Sequence, residues 1–296
     1  MQNYVGRFAP SPSGALHFGS LIAATASYLD ARANKGLWLV RIDDLDTPRV
    51  VQHAIPTLLQ QLEDYGFHWD KAVFYQSQHP QRYEDALQQL LSQQQAYPCD
   101  CSRKQLQQRT GSTVYDGFCR HKQLTADRDH AIRYKIDGRQ PLSYPDLIQG
   151  EQSINPITSL GDFIIKRRDG FIGYHLACAL DDLEQGITHV IRGYDLMGSS
   201  FAQQLITHAF AAKTLAYGHH PIAVNNQQVK LSKSAASPAI VKQDAIDNLF
   251  NVLKFLNQNP PAALQTANLD ALWQWAIANW QRDRIPAKAE IGHLSL

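Results

Sequence analysis

The sequence predicts an α/β protein built on a parallel sheet, interrupted by an inserted module and closed by a short helical appendage. Three observations predict it: a strand–helix–strand pattern opens the chain, a similar pattern returns after residue 173, and the stretch between them differs sharply in charge. Tyr4–Phe8 reads as a strand, Ala9–Gly14 as a Pro/Ser/Gly loop, and Leu16–Asn34 as a helix. In that helix Leu16, Ser20, Ala23, Ala24, Ser27 and Tyr28 recur at steps of three and four, the spacing of a face that packs on a sheet. Gly36 ends it, and Leu37–Ile42 reads as a buried strand. Parallel neighbours need a long crossover, usually a helix, and one lies between these two strands. Further helices are predicted around His53–Tyr65 and Gln81–Gln95. After the insertion, Gly173–Leu183 and Gly198–Ala211 read as helices flanking a strand at Ile187–Arg192. From Asp244 onward the pattern is helical, with Leu249, Val252, Leu253 and Leu256 on one apolar face. The divisions that follow are 1–95 and 173–235 for the two halves of the sheet domain, 96–172 for the insertion and 236–296 for the appendage.

Composition narrows the function. Of 296 residues, 44% are hydrophobic and 19% charged, which excludes a disordered chain. Lys plus Arg number 28 against 27 Asp plus Glu, so a polybasic binder is excluded too. The balance is not uniform. Between Arg103 and Arg139 there are nine Lys/Arg against four Asp, which marks the insertion as a module with its own partner. No run of about 18 apolar residues exists to span a membrane, and MQNYVGRFAPSPSG lacks the layout of a secretory signal. Four cysteines are too few for a disulfide scaffold in so long a chain. A cytoplasmic protein is expected.

Two loops suit phosphate. Pro10-Ser11-Pro12-Ser13-Gly14-Ala15-Leu16-His17-Phe18-Gly19-Ser20 joins the first strand to the first helix, placing His17 and Gly19 in the helix's first turn. Unpaired N–H groups and the positive end of the helix dipole gather there. Gly19 lets a flat group approach the backbone, and His17 can donate to a phosphoryl oxygen. Lys230-Leu231-Ser232-Lys233-Ser234 follows a strand-like Pro221–Val224, and its two lysines can neutralise a triphosphate. Either loop alone also fits an ordinary exposed turn. Cys99-x-Cys101 with Cys119 offers three soft ligands in a basic insertion, a set that favours zinc over unrelated buried thiols. General zinc chemistry would add His121 as the fourth ligand. Cys178 stands apart and reads as a packed helix residue.

H-x-G-[HST] after the first strand, paired with K-x-S-K-S far downstream, resembles the two signatures of class I aminoacyl-tRNA synthetases. RFAPSPSGALHFGS, RIDDLDTPR, GYHLACALDD followed by GITHVIRG, and KLSKS resemble the glutamyl branch of that class, over residues 4–235. The resemblance implies a Rossmann-like catalytic domain. It implies ATP, with Mg2+, at His17, Gly19, Ser20, Lys230, Ser232 and Lys233, with His17 and Lys233 catalytic. It implies L-glutamate at Arg7, Phe8, Ala9, Pro10, Ser11, Asp43, Tyr174 and Arg192, the two arginines meeting carboxylates and Asp43 the ammonium.

Departures from the branch fall at Asp43, where it usually has glutamate, and at Cys178, where it usually has asparagine. Ser20 replaces the second histidine of the first signature, which the branch tolerates. A one-methylene shorter acid at 43 reaches about 1.5 Å less far.

The stretch from Ser234 to Leu296 is too short for the anticodon-reading domain of a full glutamyl enzyme. The resemblance is therefore to truncated paralogues that esterify the queuosine wobble base of tRNA(Asp) with glutamate. In those paralogues a Y-D-G-x-C-R element, matched by Tyr115–Arg120, supplies a tyrosine ligand. That names Cys99, Cys101, Tyr115 and Cys119 for one zinc per chain, with His121 as the competing ligand. A monomer acting on tRNA without a membrane is expected. The rival readings are a truncated enzyme charging the tRNA 3′ end and a non-catalytic zinc RNA-binding relic; the intact phosphate signatures argue against the relic.

Overall fold

The structure, a computed structural model, describes residues 4–51, 53–126, 130–138, 140–224 and 238–292. Strand β1 (Val5–Phe8), helix α1 (Phe18–Ala33) and strand β2 (Leu37–Ile42) form the expected crossover, with Val5 opposite Leu37 in a parallel pair. Gly36 makes the turn into β2 because a Cβ there would lie 2.5 Å from the Tyr4 carbonyl oxygen. Helix α2 (Ala54–Asp64) leads to a short strand β3 (Phe74–Tyr75), parallel to the end of β2. Helix α3 (Pro80–Ser92) begins on a proline, whose missing N–H costs nothing at a first helical position.

The insertion contains β4 (Ala96–Cys99), α4 (Arg103–Thr110), β5 (Ala131–Tyr134), β6 (Leu142–Asp146), β7 (Gly150–Ile154) and β8 (Ile164–Lys166). Strands β4, β5 and β8 pair antiparallel, and β6 and β7 form a hairpin. Ser102 opens α4 with a capping box: its Oγ accepts from Gln105 N while its own N–H donates to Gln105 Oε1. The sequence assigns none of these strands, since runs of three to five residues are too short for alternation to register.

The parallel pattern resumes with α5 (Tyr174–Glu184), β9 (His189–Gly193), α6 (Met197–Phe210) and β10 (Ala216–His220). Strands β9 and β10 are parallel, and Thr188 N donates to Val5 O at 2.9 Å, which lays β9 beside β1. Strand β11 (Ile222–Val224) follows, then α7 (Ala245–Phe255) and α8 (Leu269–Asn279). Leu249, Val252, Leu253 and Leu256 are buried as their spacing predicts, in the same cluster as Leu21, Leu29 and Trp38. Trp273 of α8 packs its ring 4.9 Å from Tyr28 and 5.0 Å from Phe67, contacts worth about 0.5–1.5 kcal/mol each beyond burial. The appendage is not all helix, because β12 (Glu290–Gly292) pairs parallel with β11. No helix among the described residues is long and apolar enough to cross a membrane.

The exits of β1, β2 and β9 and the start of α1 meet at one edge of the sheet, where open parallel sheets bind ligands.

Candidate functional site

A cavity of about 520 Å³ opens at that edge. Arg7, Phe8, Ala9, Pro10 and Ser11 line it at the exit of β1, and His17, Gly19 and Ser20 at the start of α1. Asp43, Tyr174 and Arg192 complete the wall. All the expected substrate contacts among the described residues therefore share one cavity. Lys230, Ser232 and Lys233 lie outside the described residues.

One end of the cavity is built on buried charge. Arg7 donates from Nε and Nη2 to the two oxygens of Asp182, both at 3.2 Å. Arg41 donates from Nη1 to Asp182 at 2.6 Å and from Nε to Asp43 at 2.8 Å. The side chains of Arg7, Asp182, Arg41 and Asp43 are all buried, so a continuous run of ion pairs lies beneath the cavity. Burial alone would raise the Asp182 carboxyl, but Arg7 and Arg41 outweigh it and hold the pKa down at about 2. Its neighbour Asp181 goes the other way, pushed up to about 6 by burial despite relief from Arg41, Gln76 and Tyr83. Asp43 N also donates to Pro10 O at 3.0 Å, which ties the β2 exit to the β1 exit loop.

Across the cavity Arg192 is held by neutral groups. Its Nη1 donates to Gln203 Oε1 at 2.9 Å, and its Nη2 to Ser200 Oγ at 2.7 Å and to Leu196 O at 3.3 Å. Its Nε donates to His219 Nε2 at 3.2 Å. Cys178 is buried as expected, and its Sγ lies 3.4 Å from Asp43 Oδ2. The two departures from the glutamyl pattern are thus in contact with each other.

At the start of α1 one detail of the sequence reading changes. His17 is the residue before the helix rather than part of its first turn: its φ of −122° is extended, and its Nδ1 accepts from Ser20 N at 3.3 Å. Capping the helix this way satisfies one of the first orphan N–H groups. A Cβ on Gly19 would sit 3.1 Å from the His17 ring, so glycine leaves that imidazole its place.

The cysteines of the insertion form the second site. The sulfurs of Cys99, Cys101 and Cys119 lie within 4.8 Å of one another, and all are free thiols. Tyr115 brings its hydroxyl to 3.3 Å from Cys99 Sγ and 3.5 Å from Cys101 Sγ, while the Cys101 and Cys119 sulfurs are 3.4 Å apart. Donors around one tetrahedral ion, bound at roughly 2.0–2.3 Å, would stand about 3.5–3.8 Å from each other, so the four atoms fit a metal. His121 is exposed and takes no part in the cluster. Burial raises the Cys99 thiol, but its hydrogen bonds with Tyr115 and Arg133 bring it below its ordinary range. Arg133 also lies over the Tyr115 ring at 3.6 Å, a cation placed to balance anionic ligands.

Sequence reasoning passed over four buried residues in the networks around the two pocket arginines: Asp182 and Arg41 beside Arg7, and His219 and Asp146 beside Arg192. Arg41 and Asp182 sit inside motifs already noted, as charges within otherwise buried runs, and that contrast was the available signal. Asp146 and His219 carry no local signal, being 73 positions apart and joined only by the fold.

Comparison with known proteins gives the family and the fold. The family described as class I tRNA synthetases (E and Q), catalytic domain, matches residues 4–257. Over 291 residues the chain is 42% identical to a protein of Aromatoleum aromaticum named glutamyl-Q tRNA(Asp) synthetase, covering 97% of this chain and 92% of that one. A protein of the same name from Pseudomonas aeruginosa (strain LESB58) is 45% identical over 289 residues, covering 98% and 97%. In fold, the glutamate-tRNA synthetase of Elizabethkingia anophelis superposes with a TM-score of 0.80 at 23% identity, covering 97% of this chain and 68% of that one.

Proposed function

The chain belongs to the class I tRNA synthetases of the glutamate and glutamine branch, and from that premise we propose that it activates L-glutamate with ATP and esterifies the queuosine of tRNA(Asp). The observation that carries this reading is the cavity itself: two fixed arginines face an acid at one end, and a capped helix start lies at the other.

The α-carboxylate of glutamate, ionised at neutral pH, attacks the α-phosphate of ATP in line. Pyrophosphate leaves and glutamyl-adenylate forms, so no general base is required. Arg7 and Arg192 supply the cations for the amino acid's carboxylates, Asp43 the anion for its ammonium, and Tyr174 and the backbone of Arg7–Ser11 the remaining contacts. His17, Gly19 and Ser20 border the phosphates, where fixed N–H groups stabilise charge that develops in the transition state. Lys230, Ser232 and Lys233 are assigned the β- and γ-phosphates, which arrive with Mg2+. A hydroxyl of the queuosine cyclopentenediol then displaces AMP from the adenylate.

Cys99, Cys101, Cys119 and Tyr115 would hold zinc, which at a closed site of this kind supplies folding energy rather than chemistry. Those four side chains position the basic insertion for RNA. A monomer working in the cytoplasm completes the proposal.

Charging of queuosine-containing and queuosine-free tRNA(Asp) with labelled glutamate tests the assignment. Label should enter the first RNA alone. Equal label in both would favour a truncated enzyme acting on the 3′ end, and none in either, with no pyrophosphate exchange, would favour the non-catalytic relic.

A further inference from the structure

We propose that Asp146 and His219 form a positioning relay that fixes Arg192 for glutamate, although neither lines the cavity. The inference rests on Arg192 being a substrate contact.

A guanidinium Nε–H can only donate. Its partner is His219 Nε2, 3.2 Å away, so that nitrogen accepts and the neutral ring carries its proton on Nδ1. Nδ1 lies 2.5 Å from Asp146 Oδ2. The carboxylate therefore selects the imidazole tautomer, and the tautomer presents a lone pair to Arg192. All three residues are buried, with His219 fully so. Burial holds the His219 pKa below its ordinary value and Arg192 pushes the same way, against the pull of Asp146, so the ring is neutral at neutral pH. Ser200 Oγ, 3.0 Å from His219 Nε2, also touches Arg192 and closes the group from α6.

Asp146 cannot turn. Its Oδ1 accepts from three backbone N–H groups, those of Ile148 at 3.0 Å, Gln149 at 2.9 Å and His219 at 3.1 Å. The relay thus starts on the inserted hairpin, at the end of β6, crosses to β10 and ends on β9. Through it the insertion reaches the amino-acid pocket, where sequence alone places only the two halves of the sheet domain.

Asp146→Asn is the decisive variant. The three backbone donors keep an oxygen at the Oδ1 position, so the amide nitrogen must face His219 Nδ1 and donate to it. That moves the ring proton to Nε2, where it meets the Arg192 Nε–H donor to donor. A wrong tautomer in an intact geometry is costly for the same reason in hydrolase triads. In ATP–pyrophosphate exchange the glutamate KM should rise about 10- to 100-fold while the ATP KM moves less than about twofold. Nitrogen NMR of His219 should report the Nδ1–H form in the native protein and the Nε2–H form in Asp146→Asn. An Nε2–H form in the native protein overturns the relay, whether or not the variant folds. So does a switched tautomer with an unchanged glutamate KM, or a rise in both KM values together, which marks mere structural support. Failure of the native protein to use glutamate would instead overturn the reading of Arg192 on which the relay rests.

Discussion

The floor of the cavity and the cysteine cluster both gather groups that are costly to bury, and they resolve the cost differently. Under the cavity Arg7, Asp182, Arg41 and Asp43 neutralise one another in fixed pairs. In the insertion three thiols lie within 4.8 Å of one another with a phenol 3.3–3.5 Å from two of them, and two arginines stand at the edge without, among the described residues, a complete set of opposite charges. The pocket's charges are paired by the chain's own side chains. The cluster has a geometry that could hold an ion. A preformed pocket serves a reaction whose catalysis is mostly orientation and electrostatics, and such sites gain by not reorganising in the transition state.

The largest expected effect breaks the cluster and spares the pocket. Cys101→Ala should take bound zinc from one per chain to none, since apparent binding energies at structural zinc are about 10–16 kcal/mol and are lost with the site. Metal analysis reads the loss, and hydrogen exchange should show faster opening over residues 97–125 with unchanged protection in β1 and β9. If β1 and β9 loosened equally, the two regions would not be independent. Tyr115→Phe should weaken zinc and His121→Ala leave it; the reverse pattern would return the fourth position to His121.

Next in size is the pocket's own charge. Asp182→Ala leaves Arg7 and Arg41 buried without their shared anion, and removing one partner of a buried pair costs about 3–5 kcal/mol. Urea unfolding measures it. In the native protein the same pair has a pH signature. The Asp182 pKa is about 2 when folded and near the ordinary carboxylate value when unfolded, so its contribution is complete above about pH 4 and fades as pH falls toward 2. Asp181, at about 6 when folded, works oppositely: it favours the folded state as pH drops from about 6 to about 4 and opposes it above. Asp181→Asn should therefore flatten the stability profile between pH 4 and 6, roughly the window between its two pKa values, and leave the fall below 4 intact.

A smaller effect tests what the fixed charge is for. Arg192 keeps its whole positive charge because its partners are neutral, so glutamine should lose to glutamate by about 10- to 150-fold, the value of one charge-assisted hydrogen bond. Arg192→Gln should bring the two amino acids close together in pyrophosphate exchange. Equal use of both by the native protein would remove glutamate from the assignment.

Sequence legibility follows the same division. The β1–α1–β2 crossover, α5 and β9 were readable because period and length are local signals, and the cysteine cluster because Cys99, Cys101 and Cys119 lie close together in the chain. The ion pairs that aim the arginines were not readable. Arg7 meets Asp182 across 175 positions and Arg41 meets it across 141, and no pattern along the chain announces a contact that the sheet alone creates. The strand β12 escaped for a related reason: it forms only because β11 offers it an edge.

The smallest predicted effect sits at Asp43, where the glutamyl resemblance implies a glutamate. Asp43 is engaged at both oxygens, by Arg41 Nε at 2.8 Å and by Cys178 Sγ at 3.4 Å, and its side chain is buried. The short acid and the thiol are therefore in contact, a carboxylate at the cavity wall with a small weak donor behind it. Glutamate at this position would advance the carboxylate about 1.5 Å toward the substrate ammonium, but it would also draw it off Arg41. These changes oppose each other, so Asp43→Glu should lower the glutamate KM only about threefold, near half of the 1.4 kcal/mol that a factor of ten represents. Cys178→Asn offers a stronger donor to hold the longer acid, and the double variant should lower KM further than either change alone. Pyrophosphate exchange on the two single variants and the double measures that coupling. Strict additivity would mean that the thiol and the carboxylate, though in contact, act separately on the substrate.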